Sequence, residues 1–208
     1  VAGIGSYGNN MGIPTVNGAI FFDESYVSNP IVYCGTVGLV KKSSYYTKAK
    51  PGDVALLVGG KTGRDGIHGV TFASADLHGE SEETSGSAVQ IGDPIEEEKI
   101  KRGILRVRDL GLATAITDLG GGGLSSAIGE TAEKSKCGCE VHLQRVSLKY
   151  PRMQPWEIWT SESQERMLIC VPKENLKRVV EIFEDEEVEA TPVGDFIQEK
   201  KLYIYYNG

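Results

Sequence analysis

Apolar residues along this chain follow two patterns. In some stretches they run almost unbroken, which reads as a buried strand; in others they recur every three or four positions, which reads as an amphipathic helix. Residues 18–24 (GAIFFDE) and 30–40 (PIVYCGTVGLV) are of the first kind. The second of these is nearly continuous in apolar and β-branched residues, so it is expected to be a buried strand. DVALLVGG (53–60) is an apolar strand running into a glycine turn, and SAVQIG (87–92) is a short strand. ATAIT (113–117), 139–149 and RMLICV (166–171) are further strands, and 188–194 and 201–206 close the chain.

Helices are marked by their ends as much as by their spacing. Asp93-Pro94 followed by three glutamates gives an N-cap, a proline at the first helical position and acids at the positive end of the dipole. Ile95, Ile100, Ile104, Leu105 and Val107 then recur at helical spacing to about Leu110. A second helix is expected from Leu124 to Lys134. PWEIW (155–159) is a short helical turn, with Trp156 and Trp159 on one buried face. Pro172 opens a last helix whose apolar face is Leu176, Val179, Val180 and Phe183. Residues 1–18, rich in glycine and asparagine, read as a loop. The polar stretch 41–52, ending in Pro-Gly, reads as a domain boundary. Strands and helices are mixed, and the closing β-α-β-β run points to an α+β fold, a mixed α/β sandwich.

Composition narrows the function. Of 208 residues, 22 are Lys or Arg and 29 are Asp or Glu, for a net charge of −7. No basic stripe is present, so nucleic acid is not expected as a partner. No apolar run approaches the ~20 residues that cross a bilayer, so no membrane partner is expected either. Glycine is in excess, 26 residues, and clustered, which suits loops that cradle a ligand. Four cysteines are too few for a disulfide scaffold, and Cys137-x-Cys139 has no second pair and no nearby histidine. Free thiols and a cytoplasmic location are expected. The abrupt glycine-rich opening at Val1 is what a piece of a longer protein would show.

Single motifs leave alternatives open. Gly3-x-Gly5-x-x-Gly8 lacks the preceding strand of a dinucleotide site, and Gly60-Lys61-Thr62 lacks the P-loop glycine five positions earlier, where Ala55 stands. The loop from Gly59 to Gly69, with Lys61 and Arg64, is either a phosphate cradle or a plain turn. Asp118 closes an apolar strand and is followed by glycines and a helix. That arrangement faces a crevice and suits Mg²⁺ bridging to phosphate, or else Asp118 caps the loop. Ser161-Glu162-Ser163-Gln164-Glu165-Arg166 is either a metal and polar-ligand site or a solvated turn. Gln90, inside SAVQIG, either points outward or reaches a ligand. His68, His78 and His142 are too scattered to argue a catalytic set.

Taken together, GIGSYGNNMGIPTVNGAIFFDESY (3–26), GGKTGRDGIHGVTFAS (59–74), SAVQIGDP (87–94), ITDLGGGGLSSAIGE (116–130) and SESQERML (161–168) resemble the synthetase subunits of phosphoribosylformylglycinamidine synthases. The wider superfamily takes in aminoimidazole ribonucleotide synthetase (PurM), selenophosphate synthetase, thiamine-phosphate kinase and a hydrogenase-maturation enzyme. The resemblance implies that residues 1–50 are the final strands of a PurM N-terminal-like domain and 51–208 a PurM C-terminal-like domain. It implies an ATP-dependent C–N ligase of purine biosynthesis. ATP phosphorylates the amide oxygen of formylglycinamide ribonucleotide, and ammonia from a glutaminase subunit displaces the phosphate. By match of motif, Asp118 would bind Mg²⁺, and Gln90, Glu162, Ser163 and Gln164 would contact the nucleotide substrate. No catalytic residue falls in these 208 positions. A glutaminase subunit, a small accessory subunit and the rest of its own polypeptide would be partners, and the chain alone is expected to be inactive. The competing expectations are a non-catalytic assembly or structural-nucleotide module, or another enzyme of the superfamily. Strand 30–40 is expected to leave apolar surface exposed and so to favour association.

Overall fold

The computed structural model describes residues 1–28, 30–42, 47–67 and 91–208. Six strands form one sheet: β1 (Val54–Gly59), β2 (Ala115–Asp118), β3 (Gly138–His142), β4 (Arg166–Val171), β5 (Ala190–Ile197) and β6 (Leu202–Tyr205). Their order is β2-β4-β1-β5-β3-β6. All neighbours are antiparallel except β3 and β6. Among the described residues five helices accompany it: α1 (Ala2–Asn10), α2 (Pro94–Asp109), α3 (Gly123–Ser135), α4 (Pro155–Thr160) and α5 (Leu176–Asp185).

The unbroken apolar runs have a simple cause. β1 and β4 are central strands buried on both faces. Leu56, Val58, Ile169 and Val171 pack on one side with Ile100 and Val107 of α2 and with Val179, Ile182 and Phe183 of α5. Ala55, Leu57, Leu168 and Cys170 pack on the other with Leu124 and Ile128 of α3 and Ile158 of α4. Successive strand side chains point to opposite faces, so a strand covered on both sides must be apolar throughout. The expected α+β sandwich is borne out, with helices on both faces of a mixed sheet.

Details of the helices differ from the pattern. Asp93 caps α2 as expected, its carboxylate accepting from the Ile95 (3.1 Å) and Glu96 (3.2 Å) amides. Ile95 and Leu105, however, are exposed, and the buried stripe is Ile100, Gly103 and Val107. Gly103 belongs to that stripe because a Cβ there would come within 2.5 Å of the Phe183 ring. In α5 it is Ile182, with Val179 and Phe183, that is fully buried, while Leu176 and Val180 pack at the margin. Trp156 of α4 is exposed, and Glu157 and Ile158 are buried instead.

Three expectations need correction. Residues 2–10 are helical rather than looped. The strand expected over 139–149 stops at His142, and a 3₁₀ turn covers Leu143–Arg145. Leu143 and Val146 both enter the core, and residues three apart in a strand would face opposite ways. Residues 18–24 and 30–40 form no strand; only Glu24–Tyr26 is a 3₁₀ turn. They are not buried either, with Val37 98% and Leu39 103% exposed. A strand needs a ladder partner for its amides and carbonyls, and among the described residues none lies beside this stretch. The expected exposed apolar surface is therefore present. Of the strand expected over 87–92, residues 87–90, with Gln90, lie outside the described residues, as do His68 and His78, while Ile91 and Gly92 are not in a strand.

Candidate functional site

Antiparallel pairing brings the separate motifs together. β4 lies between β1 and β2, and its first residues pair with their last: Arg166 opposite Gly59, and Met167 opposite both Val58 and Asp118. The start of the glycine-rich loop, the strand-end carboxylate and the SESQER run thus meet at one edge of the sheet.

Asp118 is exposed at the end of β2, its carboxylate 3.3 Å from where a Cβ on Gly120 would sit. A hollow of about 220 Å³ opens there, lined among others by Tyr7, Glu97, Asp118, Gln164, Glu165 and Arg166. Of the residues picked out from sequence, Asp118 and Gln164 share this hollow. Glu162 and Ser163 do not line it. The Glu162 carboxylate accepts from the Gly122 amide (3.0 Å) at the start of α3. Ser163 is fully buried; its hydroxyl accepts from the Gly63 amide (2.8 Å) and donates to Asp65 (2.5 Å). A larger hollow of about 400 Å³, beside Lys136, Cys137 and Lys200 at the other end of α3, takes in none of these residues.

Arg166 holds the edge together. Its guanidinium donates to the Ser163 carbonyl (2.8 Å), Thr62 Oγ1 (2.9 Å) and the Ser161 carbonyl (2.6 Å). Burial pushes its pKa down to about 10, opposed by the charge of Asp65. Burial raises the Asp65 carboxyl, but hydrogen bonds from Lys149 and Ser163 and the charges of Lys149 and Arg166 outweigh it and bring it below its ordinary value. Arg64 of the glycine-rich loop is engaged by Glu157 (2.8 Å) and lies over the Tyr150 ring. Its hydrogen bond and that of the Gln154 amide hold the Glu157 carboxyl low.

The rim of the hollow is acidic. Burial, together with the negative charges of Glu165 and Asp118, raises the Glu97 carboxyl. The Tyr7 hydroxyl donates to Glu165 Oε1 (2.7 Å), and burial and that bond raise the Tyr7 pKa. Tyr7, Glu97 and Asp65 are absent from the sequence reading of the site. Glu97 reads there as a dipole-matching acid at a helix start, and Tyr7 as part of a loop. Only the fold brings Tyr7 to a residue 158 positions away.

Residues 50–207 match the model of the AIR synthase related protein, C-terminal domain. The chain belongs to this family. Within it, similarity to the phosphoribosylformylglycinamidine synthase subunit PurL of Thermoplasma volcanium is 46% identity over 208 residues, which is 99% of this chain and 27% of that protein. Thermotoga maritima PurL complexed with FGAR superposes with a TM-score of 0.85 at 35% identity, over 99% of this chain and 34% of that one. The same protein complexed with ATP gives a TM-score of 0.80 at 32% identity, over 99% and 32%. The resemblance read from the motifs is borne out. The chain spans 27 to 30% of the length of the curated relatives it matches.

Proposed function

We propose that this chain supplies substrate and Mg²⁺ contacts to an ATP-dependent C–N ligase that converts formylglycinamide ribonucleotide to formylglycinamidine ribonucleotide. The observation that carries this reading is the convergence of Asp118 and Gln164 on one hollow at the β2/β4 edge. Relatives solved with FGAR and with ATP support it.

In this reading Gln164 hydrogen-bonds the polar substrate, and Gln90 reaches it from the 87–92 segment. Glu162 and Ser163 act with them. Glu162 fixes the Gly122 amide at the start of α3, and Ser163 ties the 161–164 run to Gly63 and Asp65. Asp118 fits one position in a Mg²⁺ shell, because that ion commonly takes one or two protein carboxylates and completes its octahedron with water and phosphate oxygens. Among the described residues no three His, Cys, Asp or Glu side chains form a metal-holding group, so the remaining ligands come from elsewhere. When bound, Mg²⁺ offsets the charge of the transferring phosphoryl group.

Residues 1–50 are the end of a PurM N-terminal-like domain and 51–208 a PurM C-terminal-like domain. ATP contacts and turnover belong to the rest of the polypeptide, with a glutaminase subunit and a small accessory subunit as partners in the cytoplasm. Titration calorimetry of the chain with formylglycinamide ribonucleotide and Mg²⁺ tests the site. Heat that disappears in Asp118→Ala and Gln164→Ala is the expected result. An intact chain that gives no heat would instead favour a non-catalytic assembly module, the reading that the exposed apolar residues of 18–40 favour.

A further inference from the structure

We propose that Tyr7 is a positioning residue of the Asp118–Gln164 hollow, acting on Gln164 through the Glu165 carboxylate; this rests on the substrate reading of that hollow given above. Tyr7 belongs to α1, outside residues 50–207 that match the family domain, yet its side chain lines the hollow. No residue of α1 is buried, so the helix adds little to the core. Its ties to the body include Lys101 Nζ donating to the Met11 carbonyl (2.9 Å) at the helix end and the Tyr7 hydroxyl donating to Glu165 (2.7 Å).

Glu165 is a demanding residue to hold. Its backbone is left-handed, φ +51°, a conformation that side-chain-bearing residues seldom adopt. This kink lies between the polar 161–164 run and the start of β4 at Arg166, directly after Gln164. It is pinned from two sides. On the backbone side, the Glu165 carbonyl accepts from the Gly60 amide (3.0 Å), and it lies so close to Gly59 that a Cβ there would overlap it. On the side-chain side, the carboxylate is held by Tyr7. The Tyr7 ring is packed against Gly92, where a Cβ would come 2.8 Å from Cε2, so the phenol is a fixed rather than a swinging donor. Glu97 and Asp118 line the same hollow, and Glu97 and Glu165 repel each other. Without the Tyr7 donor, the backbone bond to Gly60 still holds the kink, but the Glu165 carboxylate loses the hydrogen bond that offsets its repulsion by Glu97.

The test uses the 208-residue chain and four forms of it: wild type, Tyr7→Phe, Glu165→Ala and the double variant. Calorimetry with formylglycinamide ribonucleotide and Mg²⁺ reads affinity, and amide hydrogen exchange at Gly60, measured without ligand, reads the kink. Tyr7→Phe keeps the ring and removes one hydrogen bond to a charged group, so affinity should fall by about tenfold and Gly60 should exchange faster. In the Glu165→Ala background the same change should cost nothing further, which a general loosening of α1 would not reproduce. Equal affinity of wild type and Tyr7→Phe overturns the proposal, as does an equal loss in both backgrounds. If the wild type itself gives no heat, the substrate reading fails. The exchange rate of Gly60 then decides the Tyr7 role alone, and an unchanged rate in Tyr7→Phe overturns it.

Discussion

Replacing Arg166 with methionine separates two opposing effects of a buried cation. The side chain is 3% exposed and satisfies three acceptors, the Ser161 and Ser163 carbonyls and Thr62 Oγ1. Leaving three buried acceptors without a donor costs roughly 2 kcal/mol each. Against this, methionine removes a charge from the interior. A guanidinium brought from 12.5 to about 10 is disfavoured by about 3 kcal/mol, at about 1.4 kcal/mol per pKa unit. The net expectation is a loss of about 3 kcal/mol. For a chain of this size that lowers the melting temperature by about 6–12 °C. Arg166→Lys keeps the buried charge but offers a single nitrogen, which cannot span three separated acceptors. It should therefore be at least as destabilised as Arg166→Met. Urea unfolding and calorimetric melting of the three proteins measure both quantities. A methionine variant within about 0.5 kcal/mol of wild type, or a lysine variant more stable than the methionine one, would refute the assignment of Arg166 as the three-point tie of the site edge.

Other expectations concern the same edge and the core. Asp65 is held below its ordinary value of 3.8 despite burial, so its contribution to stability is present above that pH and is lost as pH falls through the lower folded value. Asp65→Asn should flatten the acid limb of melting temperature against pH. Gly123 has φ +56°, and a Cβ there would overlap the Ser161 carbonyl. Gly123→Ala should therefore cost upwards of about 2 kcal/mol in urea unfolding; a neutral variant would show that α3 starts differently. Cys34 is exposed, whereas burial pushes Cys139 up to about 12 and also raises Cys170 well above its ordinary value. A thiol reagent near neutral pH should label Cys34 quickly and reach Cys139 and Cys170 only with denaturant. Fast labelling of either in the native chain would contradict their burial.

Much of the architecture is legible locally. DVALLVGG and RMLICV read as strands from their unbroken apolar runs, and Asp93-Pro94 reads as a helix start. The failures share a cause. Residues 18–24 and 30–40 carry strong strand character, but a strand is completed by a neighbour's hydrogen bonds, and among the described residues no neighbour is present. Ile95 and Leu105 fit a helical period yet stay exposed, because periodicity fixes a face and not which part of it meets the sheet. Gly103 breaks the apolar pattern and is nonetheless core, because a bulky Phe183 from α5 fills its space.

The candidate site divides in the same way. Residue types and their order leave Asp118 and the 161–166 run open between a ligand site and a cap or solvated turn, and it is the family resemblance of the motifs that names Asp118 and Gln164. That they share one hollow follows from the antiparallel register of β4 with β2, which pairs residues 49 positions apart. The commitment of Ser163 to Gly63 and Asp65, the capping of Gly122 by Glu162 and the reach of Tyr7 to Glu165 are likewise decided by tertiary structure. Local sequence sets what a segment can become and what chemistry it can carry. Which groups end up within hydrogen-bonding distance depends on how sheet and helices pack, and that is a property of the whole chain.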